Sequence, residues 1–336
     1  MYIAVPLLYR MCARCAMGAG VENPRQNTRL AHFPKRVYDV HKHHRPEVHP
    51  MPDFTHPAKW RDTVDPFTLS MHHFALQDVL GYPHAGNDVF QVCGTWQGQT
   101  VEAYIKAARH PDAQILREVQ VLTALDDPRF PRVIDHGESG VPFSVTLALP
   151  GKRLSVLKNE DPGLSTLPYM TAWGQMLARI HTLRPLIDDA PHRRFMDAPD
   201  AAMLQGLNLD HLIGFFDHAP GEGARVFCHG DCHYANILWQ GDRLSAVLDF
   251  ELCGMGDRDY DIAWALIRRP GQAFMDTEDE IRHFLHGYQS IAPLHEARVR
   301  FFMAQIYVFF LAAISNNTAY AEFVRTWLNQ YAPMPN

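Results

Sequence analysis

The pattern of apolar and polar residues divides the chain into three stretches. Over residues 1–70 prolines and histidines recur too often for a lasting helical or strand period, as in "HKHHRPEVHPMPDFTHP", so an irregular or disordered extension is expected. From about residue 71 the alternating and helical periods become regular. A break at "PGKRL" then separates a first unit over 71–150 from a second over 151–336.

The pattern over 71–150 predicts a small unit of strands and one helix. "DVFQVC" (88–93) and "TVEAYIKA" (100–107) alternate as strands do, and the glycines of "GTWQGQ" predict a turn between them. "HPDAQILREVQVLTALDD" has an apolar stripe of helical period, with Pro111 and Asp112 expected in its first turn. "RVIDHGE" and "PFSVTLAL" follow as two more strands.

The stretch over 151–336 is predicted to be mostly helical. Amphipathic helices are expected for "STLPYMTAWGQMLARIHTL" (165–183), "DYDIAWALIRR", "DTEDEIRHFLHGYQS" and the last forty residues. Two strands, "NILW" (236–239) and "LSAVLDF" (244–250), are joined by the turn "QGDR". No run of 18 uncharged apolar residues occurs, so no membrane span is expected.

The sequence "HGDCHYANILW" places many polar side chains directly before the first of these two strands. A hairpin of the two strands would bring Asn236 and Asp249 to one end, with Asp231 in the loop that leads in. Oxygen ligands with room for water and phosphate are typical of Mg²⁺ sites. A further carboxylate there could accept a proton from a hydroxyl, so the cluster indicates phosphoryl transfer.

Two other interpretations of this cluster remain open on the sequence. His229, Asp231 and His233 alternate, so on one face of a strand they would be candidate zinc ligands. The cluster is otherwise a polar turn whose side chains cap backbone groups. A second, weaker zinc hypothesis uses residues of the extension, namely Cys12, Cys15, His41, His43 and His44.

The spacing of these residues favours phosphoryl transfer. Four residues separate Asp231 from Asn236, as in the kinase catalytic loop H-R-D-x-x-x-x-N. Asp249 begins "DFE", where a kinase has D-F-G. Upstream, "AYIK" resembles the V-A-I-K strand, and Glu118 is the one acid in the middle of the helix that follows. A pair of Lys106 and Glu118 would direct the ammonium group to ATP phosphates.

Three stretches resemble a known family. "WGQMLARIHTL", "HGDCHYANIL" and "LDFELCGMGDRDYDIAW" are similar to the signature stretches of the aminoglycoside phosphotransferase family of kinase-like enzymes. The resemblance covers roughly residues 75–330. It implies an α+β, bilobal protein-kinase-like fold: a small nucleotide-binding N-lobe over 71–150, with an antiparallel sheet plus one helix, and a larger, mostly helical C-lobe over 151–336.

The resemblance also implies ATP and Mg²⁺ as cofactors and a small-molecule hydroxyl as acceptor, on an aminoglycoside-like compound, a sugar or an amino alcohol. By position, Asp231 would be the catalytic base, Asn236 and Asp249 would bind the metal, and Lys106 would contact phosphates while Glu118 orients it. Asp261 would hold the catalytic loop. "GTWQGQ" departs from G-x-G-x-x-G, and residues 190–225 carry no signature of a particular acceptor.

Charge and cysteine content narrow the function further. The net charge of −6 is unevenly distributed. Residues 1–50 carry a net charge of +5, so the remainder of the chain carries −11. An acidic body does not suit a nucleic-acid binder. Between Pro185 and Ser290 there are eighteen acids, eight arginines and no lysine, which would suit a cationic acceptor or a solvated face. Six scattered cysteines favour a reducing cytoplasm.

Two rival functions are weighed against this kinase. A protein kinase would need an activation segment, but "DYDIAW" follows Asp249 too closely to leave room for one. A catalytically silent, kinase-like nucleotide-binding protein would not need all five of the residues matched above. The sequence therefore predicts an enzyme whose acceptor it does not identify.

Overall fold

The computed structural model of the protein describes residues 62–83, 86–313 and 318–332. The first 61 residues lie outside the described part, and with them the Cys12–Cys15 zinc hypothesis and all but the last nine residues of the predicted irregular extension over 1–70. The described chain forms two lobes. The N-terminal lobe is a sheet with one helix, and the C-terminal lobe is mostly helical. The predicted architecture is confirmed.

The N-terminal lobe is built on a five-stranded antiparallel sheet in the order β1-β2-β3-β5-β4. Its strands are β1 (Phe74–Gly81), β2 (Asp88–Trp96), β3 (Gln99–Ala107), β4 (Val133–Gly137) and β5 (Phe143–Leu147). The sequence pattern did not predict β1. This edge strand has two register shifts against β2, and each shift interrupts the alternation by which a strand is recognised.

The two faces of β3 have different roles. Ala103, Ile105 and Ala107 are fully buried in the core of the lobe, together with residues of β2 and β5. Burying an isoleucine of this kind contributes about 1.5–3 kcal/mol. Because side chains alternate along a strand, Tyr104 and Lys106 lie on the opposite face. That face is turned toward the C-terminal lobe, since Lys106 contacts Asp249 there.

The helix of the N-terminal lobe, α1 (Ile115–Ala124), is shorter than predicted. The expected first turn at Pro111 and Asp112 was wrong, because residues 110–113 form a separate turn before the helix. The backbone N–H of Gln114 donates to Glu251 Oε1 at 2.9 Å. A side chain of the other lobe therefore satisfies a donor at the helix start, which a local pattern does not reveal.

The segment before β1 packs against the sheet. It contains a 3₁₀ turn, Pro66–Thr68, and places Val64 and Leu69 on the core of the N-terminal lobe. The buried carboxylate of Asp135 accepts hydrogen bonds from the backbone N–H groups of residues 72, 73 and 74, at 2.8, 2.6 and 2.9 Å. These contacts fix the start of β1.

The C-terminal lobe contains eight α-helices among its described residues. They are α2 (Leu154–Glu160), α3 (Leu167–Thr182), α4 (Ala201–Gly206), α5 (Ile213–Asp217), α6 (Arg258–Leu266), α7 (Glu278–Gln289), α8 (Glu296–Ala313) and α9 (Thr318–Tyr331). The helices predicted around α3, α6 and α7 are confirmed. A capping box of Thr277 and Glu280 begins α7. The helices α3 and α7 approach closely at Gly174, where a Cβ would overlap the carbonyl of Phe284.

One apolar core fills the C-terminal lobe between α3, α6, α7 and α8. Helix α8 is buried around most of its circumference, while Trp173 of α3 and Tyr288 of α7 are almost fully buried. The core holds α6 rigidly, and its first turn lies beneath the polar residues predicted to be functional. Among the described helices, none combines the length and the apolar character needed to cross a membrane.

Four short strands carry the polar residues of this lobe. β6 (Arg225–Cys228) pairs antiparallel with β9 (Gly254–Asp257), and β7 (Ile237–Gln240) pairs antiparallel with β8 (Arg243–Val247). The sequence predicted the β7–β8 hairpin but not β6 or β9. Residues 229–236, called the polar loop below, join β6 to β7, and residues 248–253 join β8 to β9. Because β6 pairs with β9 and β7 pairs with β8, the polar loop and residues 248–253 lie side by side.

Candidate active site

The hairpin of β7 and β8 brings two of the predicted metal ligands together. Ile237 pairs with Val247, and Leu248 N donates to Asn236 O at 2.7 Å, so Asp249 follows at the same end. The side-chain amide of Asn236 donates to the backbone carbonyl of Asp231 at 3.0 Å. The side chains of Asp231, Asn236 and Asp249 therefore meet at one opening, as the sequence predicted.

Lys106 reaches this opening from the N-terminal lobe. Its ammonium lies 3.0 Å from Glu118, 2.6 Å from Asp249 and 3.0 Å from Glu251. Burial alone would lower the pKa of Lys106, but the negative charges of Asp249, Glu118 and Glu251 outweigh it and hold this pKa well above its ordinary value. The predicted Lys106–Glu118 pair is present, and the ammonium stays charged at all ordinary pH values.

The sequence did not predict that Glu251 lies at the site. Besides Lys106 and the backbone N–H of Gln114, its carboxylate accepts a hydrogen bond from Asn87 Nδ2 at 2.8 Å. Beside it, the backbone N–H of Phe250 donates to Glu118 Oε1 at 2.9 Å. The segment after β8 thus ties together α1, β3 and the start of β2. The one sequence signal for this role was that Glu251 stands where the kinase D-F-G motif has glycine.

The connection between β1 and β2 lies beside Lys106. Val89, near the start of β2, pairs with Lys106, whereas Trp96 pairs with Gln99 at the other end of the hairpin. The turn of "GTWQGQ" is therefore about seven residues, or roughly 23 Å, from Lys106. The glycines of "GTWQGQ" therefore lie at the end of the β2–β3 hairpin away from Lys106.

The carboxylate of Asp231 is held on both sides. Trp264 Nε1 donates to Asp231 Oδ1 at 2.7 Å, and His233 Nε2 lies 3.6 Å from Oδ2. Burial by itself would raise the pKa of Asp231, but His233, followed by Arg193 and Arg269, outweighs burial and lowers this pKa below its ordinary value. Asp231 is therefore ionised at neutral pH. Trp264 was not predicted, although it ends the quoted motif "DIAW".

Asp261 lies beneath the polar loop at the start of α6. Its carboxylate accepts from the backbone N–H groups of His229 and Gly230, each at 2.9 Å, and lies 3.0 Å from His181 Nε2. The other nitrogen of His181 is 2.6 Å from Tyr288 OH. Burial would raise the pKa of Asp261, but these partners outweigh it, His181 first, and lower the pKa. Asp261 has the contacts expected of a residue that holds this loop.

A family model described as "Phosphotransferase enzyme family" (APH) matches residues 83–302. The chain belongs to this family. The resemblance seen in the sequence is confirmed, and the match spans the sheet from β2 onward, the polar loop and the first two turns of α8. All the residues singled out above lie within it.

This member of the phosphotransferase family is similar to one further protein in sequence and to solved structures in fold. It is 26% identical to the uncharacterized protein sll1119 of Synechocystis sp., over 74% of this chain and 80% of the relative. Its fold is similar to the crystal structure of aminoglycoside phosphotransferase APH(4)-Ia, with a TM-score of 0.51 and 16% identity over 80% of this chain and 95% of the other. A thermostable mutant of that enzyme, in ternary complex with ADP and hygromycin B, gives a TM-score of 0.50 at 16% identity, over 78% and 94%. At 16% identity, these two solved structures show only which fold this chain adopts.

The zinc alternative for the polar loop is not supported in this phosphotransferase. His229 Nε2 is 3.1 Å from Leu248 O, and its Nδ1 accepts from the backbone N–H of Asp231 at 3.2 Å, so both ring nitrogens are used. Within the described ranges, one group has metal-like spacing, namely His181, Cys228 and Asp261. It is buried, and both nitrogens of its histidine already have partners.

Replacing Asp261 by Asn tests the support of the polar loop. The Asn amide presents an N–H₂ group toward donors that a carboxylate satisfied, so Asp261→Asn should lower the free energy of unfolding by about 3 kcal/mol. Chemical denaturation measures this, with the exposed Asp126→Asn as the matched control. Because the folded-state pKa is lowered, the difference should be present at neutral pH and shrink as pH falls through the aspartate range. Equal stability of Asp261→Asn and Asp126→Asn would contradict the assigned support.

Gly230 of the polar loop is predicted to be irreplaceable by alanine. Its φ is +81°, and a Cβ there would overlap the carbonyl of Leu252. Gly241, at φ +60° with open space around it, is the matched control. Gly241→Ala should cost about 1–2 kcal/mol of stability and no activity. Gly230→Ala should displace Asp231 and lower turnover about 100-fold. Equal turnover in the two variants would show that the loop geometry is not critical.

Proposed function

We propose that this protein transfers the γ-phosphoryl group of ATP, with Mg²⁺, to a hydroxyl group of a small molecule. The observation that carries the proposal is the meeting of Lys106 with Asp249 across the two lobes, directly beside Asn236 and Asp231. A phosphate-binding cation, two oxygen ligands for a metal and an ionised carboxylate are the parts that phosphoryl transfer requires.

A groove beside the connection of the two lobes suits the nucleotide base. Its volume is about 460 Å³, and it is lined by Val101, Glu102, Leu147, Ala148, Leu149 and Pro150. Glu102 and Lys106 share a face of β3, four residues and therefore about 13 Å apart. A base in this groove would leave its phosphates extended toward Lys106. The ADP complex of the structurally similar enzyme supports nucleotide binding in this fold.

The donor set at the opening fits Mg²⁺. Asn236 offers an amide oxygen and Asp249 a carboxylate, and magnesium prefers such hard oxygen ligands with water and phosphate completing the shell. These two residues would hold the ion, as the resemblance to the family implies. When bound, the ion would neutralise charge on the phosphate oxygens.

The steps of the transfer follow from the chain's own residues. Lys106 would hold the phosphates, and Asp231, ionised and fixed by Trp264, would orient the acceptor hydroxyl. The hydroxyl oxygen attacks the γ phosphorus, the bond from that phosphorus to the bridging oxygen breaks, and ADP departs with that bond's electrons. The hydroxyl proton passes to Asp231.

The rival functions lead to different expectations. Between Asp249 and the start of α6 at Arg258 there are eight residues, including β9, so the fold offers no activation segment of the protein-kinase kind. A silent nucleotide binder would bind ATP but form no phosphorylated product. Activity in a chemical assay therefore discriminates between this silent binder and the enzyme.

The experiment is an assay of ADP formation with γ-labelled ATP, Mg²⁺ and a panel of sugars, amino alcohols, hydroxy acids and aminoglycosides. The proposal predicts label on one acceptor class, and no label with Asp231→Asn. ATP bound without transfer to any acceptor or to water would favour the silent binder. Label on a protein substrate instead of small molecules would favour a protein kinase.

A further inference from the structure

An arginine lies beside the carboxylate assigned as the catalytic base. Arg193 is in the segment between α3 and α4, directly before the 3₁₀ turn Arg194–Met196. Its Nη2 donates to the carbonyl of Gly230 at 2.6 Å, and its Cζ lies 4.2 Å from the centre of the Trp264 ring. Both contacts lead to Asp231, since Gly230 precedes it and Trp264 donates to it.

The guanidinium of Arg193 is largely unsatisfied. It carries five N–H donors, and the described part of the chain accepts one of them, at Gly230. Its Nε is buried and has no hydrogen-bond partner. Within residues 62–83, 86–313 and 318–332, no carboxylate forms an ion pair with it. A partly buried cation in this state retains most of its capacity to bind an anion.

Several other arginines of the same lobe form ion pairs with its acids. Although the lobe is rich in acids, these acids are used by other cations. The pairs are Arg225 with Asp189, Arg258 with Asp259, Arg268 with Asp276, Arg298 with Asp257 and Asp259, and Arg300 with Glu278 and Glu296. The acids in these pairs are therefore already compensated by neighbouring guanidinium groups.

A second guanidinium adds to the positive charge at this place. Arg269 is 2% exposed, and its Cζ lies 5.2 Å from the centre of the Trp264 ring. Its nitrogens donate to the carbonyls of Ile267 and Trp264, at 3.0 and 3.3 Å, which carry no net charge. Two guanidinium groups therefore flank the indole that holds Asp231. With His233 they outweigh the burial of Asp231 and lower its pKa.

From this arrangement we infer that the acceptor carries an oxyanion group, a carboxylate or a phosphate, which Arg193 binds while Asp231 receives the neighbouring hydroxyl. The inference deepens the proposed function and rests on it. Arginine binds such groups through two parallel hydrogen bonds. An ammonium-bearing acceptor, such as an aminoglycoside, would instead bring its positive charge close to Arg193 in a partly buried site.

The acceptor charge is tested with four small hydroxyl compounds on a three-carbon frame. Glycerol is neutral, serinol is cationic, glycerate has a carboxylate and glycerol 3-phosphate has a phosphate. ADP formation is measured with saturating ATP and Mg²⁺, and binding is measured by the shift of Tm with Mg²⁺ and a non-hydrolysable ATP analogue. One or both anions should exceed glycerol about tenfold or more in kcat/KM or in affinity, and serinol should rank last. The two anions distinguish carboxylate from phosphate.

Variants of Arg193 separate binding of the anion from support of the loop. Arg193→Gln keeps an amide donor for Gly230 but removes the charge, and Arg193→Lys keeps the charge. Arg193→Gln should raise KM for the anionic compound about tenfold, with little change in kcat and in KM for ATP. Arg193→Lys should recover part of the loss. The exposed Arg243→Gln, at the turn between β7 and β8, is the matched control.

The inference would be overturned by a preference for glycerol or serinol, or by an anion preference that survives Arg193→Gln. The failure of both anions to bind or react at millimolar concentration would also overturn it. A drop in kcat for every compound with Arg193→Gln would assign Arg193 to loop support alone and would also overturn it. Transfer to serinol or glycerol would leave the proposed function intact, whereas loss of Mg²⁺-dependent ATP binding would contradict that function itself.

Discussion

Asp231→Asn should lower turnover by about 10²–10⁴-fold while the affinity for ATP and Mg²⁺ stays within about twofold of wild type. An amide does not accept the hydroxyl proton, but it still receives the hydrogen bond of Trp264, so the loop keeps its shape. Turnover is measured by acceptor-dependent ADP formation, and nucleotide affinity is measured separately by titration. The exposed Asp242→Asn, in the turn after β7, is the matched control.

If Asp231→Asn kept more than about a tenth of the wild-type rate, Asp231 would not be the general base. If ATP affinity fell together with the rate, the variant would have disturbed the cleft instead of the proton transfer. A silent nucleotide binder would show neither effect, because there would be no acceptor-dependent rate to lose.

Asp249→Asn should abolish turnover and weaken the apparent affinity for Mg²⁺ by about 100-fold, because even residues that only orient a metal ligand typically contribute 10–100-fold. Asparagine is the suitable replacement. Asp249 has φ +66°, a conformation that Asn tolerates and that most residues do not. The variant also removes the charge that faces Lys106 at 2.6 Å. Mg²⁺ titrations at fixed ATP measure the change.

Lys106→Met provides the comparison for Asp249→Asn. It should weaken ATP binding but leave the Mg²⁺ dependence of the remaining binding, since Lys106 contacts phosphates and not the ion. If both variants gave the same loss of Mg²⁺ dependence, the division of roles between the two lobes would be wrong. The exposed Lys152→Met is a suitable control for the loss of one lysine.

Local sequence patterns were sufficient to predict those parts of the site whose positions depend on residues close in sequence. The spacing of Asp231 and Asn236 and the turn between β7 and β8 predicted which side chains would meet. Alternation along β3 placed Lys106 opposite Ile105, and the single acid of α1 then identified its partner Glu118. In each case the geometry of one strand, one turn or one helix decides the position.

The sequence failed where distant segments decide the structure. The start of α1 depends on Glu251, about 137 residues further along the chain. β1 was missed because its bulges interrupt alternation, and β6 and β9 are too short to be recognised without each other.

The contacts of Trp264 with Asp231 and of Arg193 with Gly230 belong to the same group of non-local features. The quoted motif contained Trp264, yet only the packing of α6 beneath the polar loop brings its indole to Asp231. Arg193 lies in a stretch with no recognisable motif and reaches Gly230 through the tertiary fold. Composition alone suggested a cationic acceptor, because it counts acids without their partners.

The most direct test of the central claim is the Mg²⁺ dependence of nucleotide binding by the wild-type protein. The cleft sets the carboxylates of Glu118, Asp249 and Glu251 against the single ammonium group of Lys106. ATP without a metal would meet this excess of negative charge, so a fluorescent ATP analogue should bind at least about tenfold more tightly with Mg²⁺ than with a chelator. Equal affinity in the two conditions would contradict the proposed metal site, and with it the phosphotransferase mechanism.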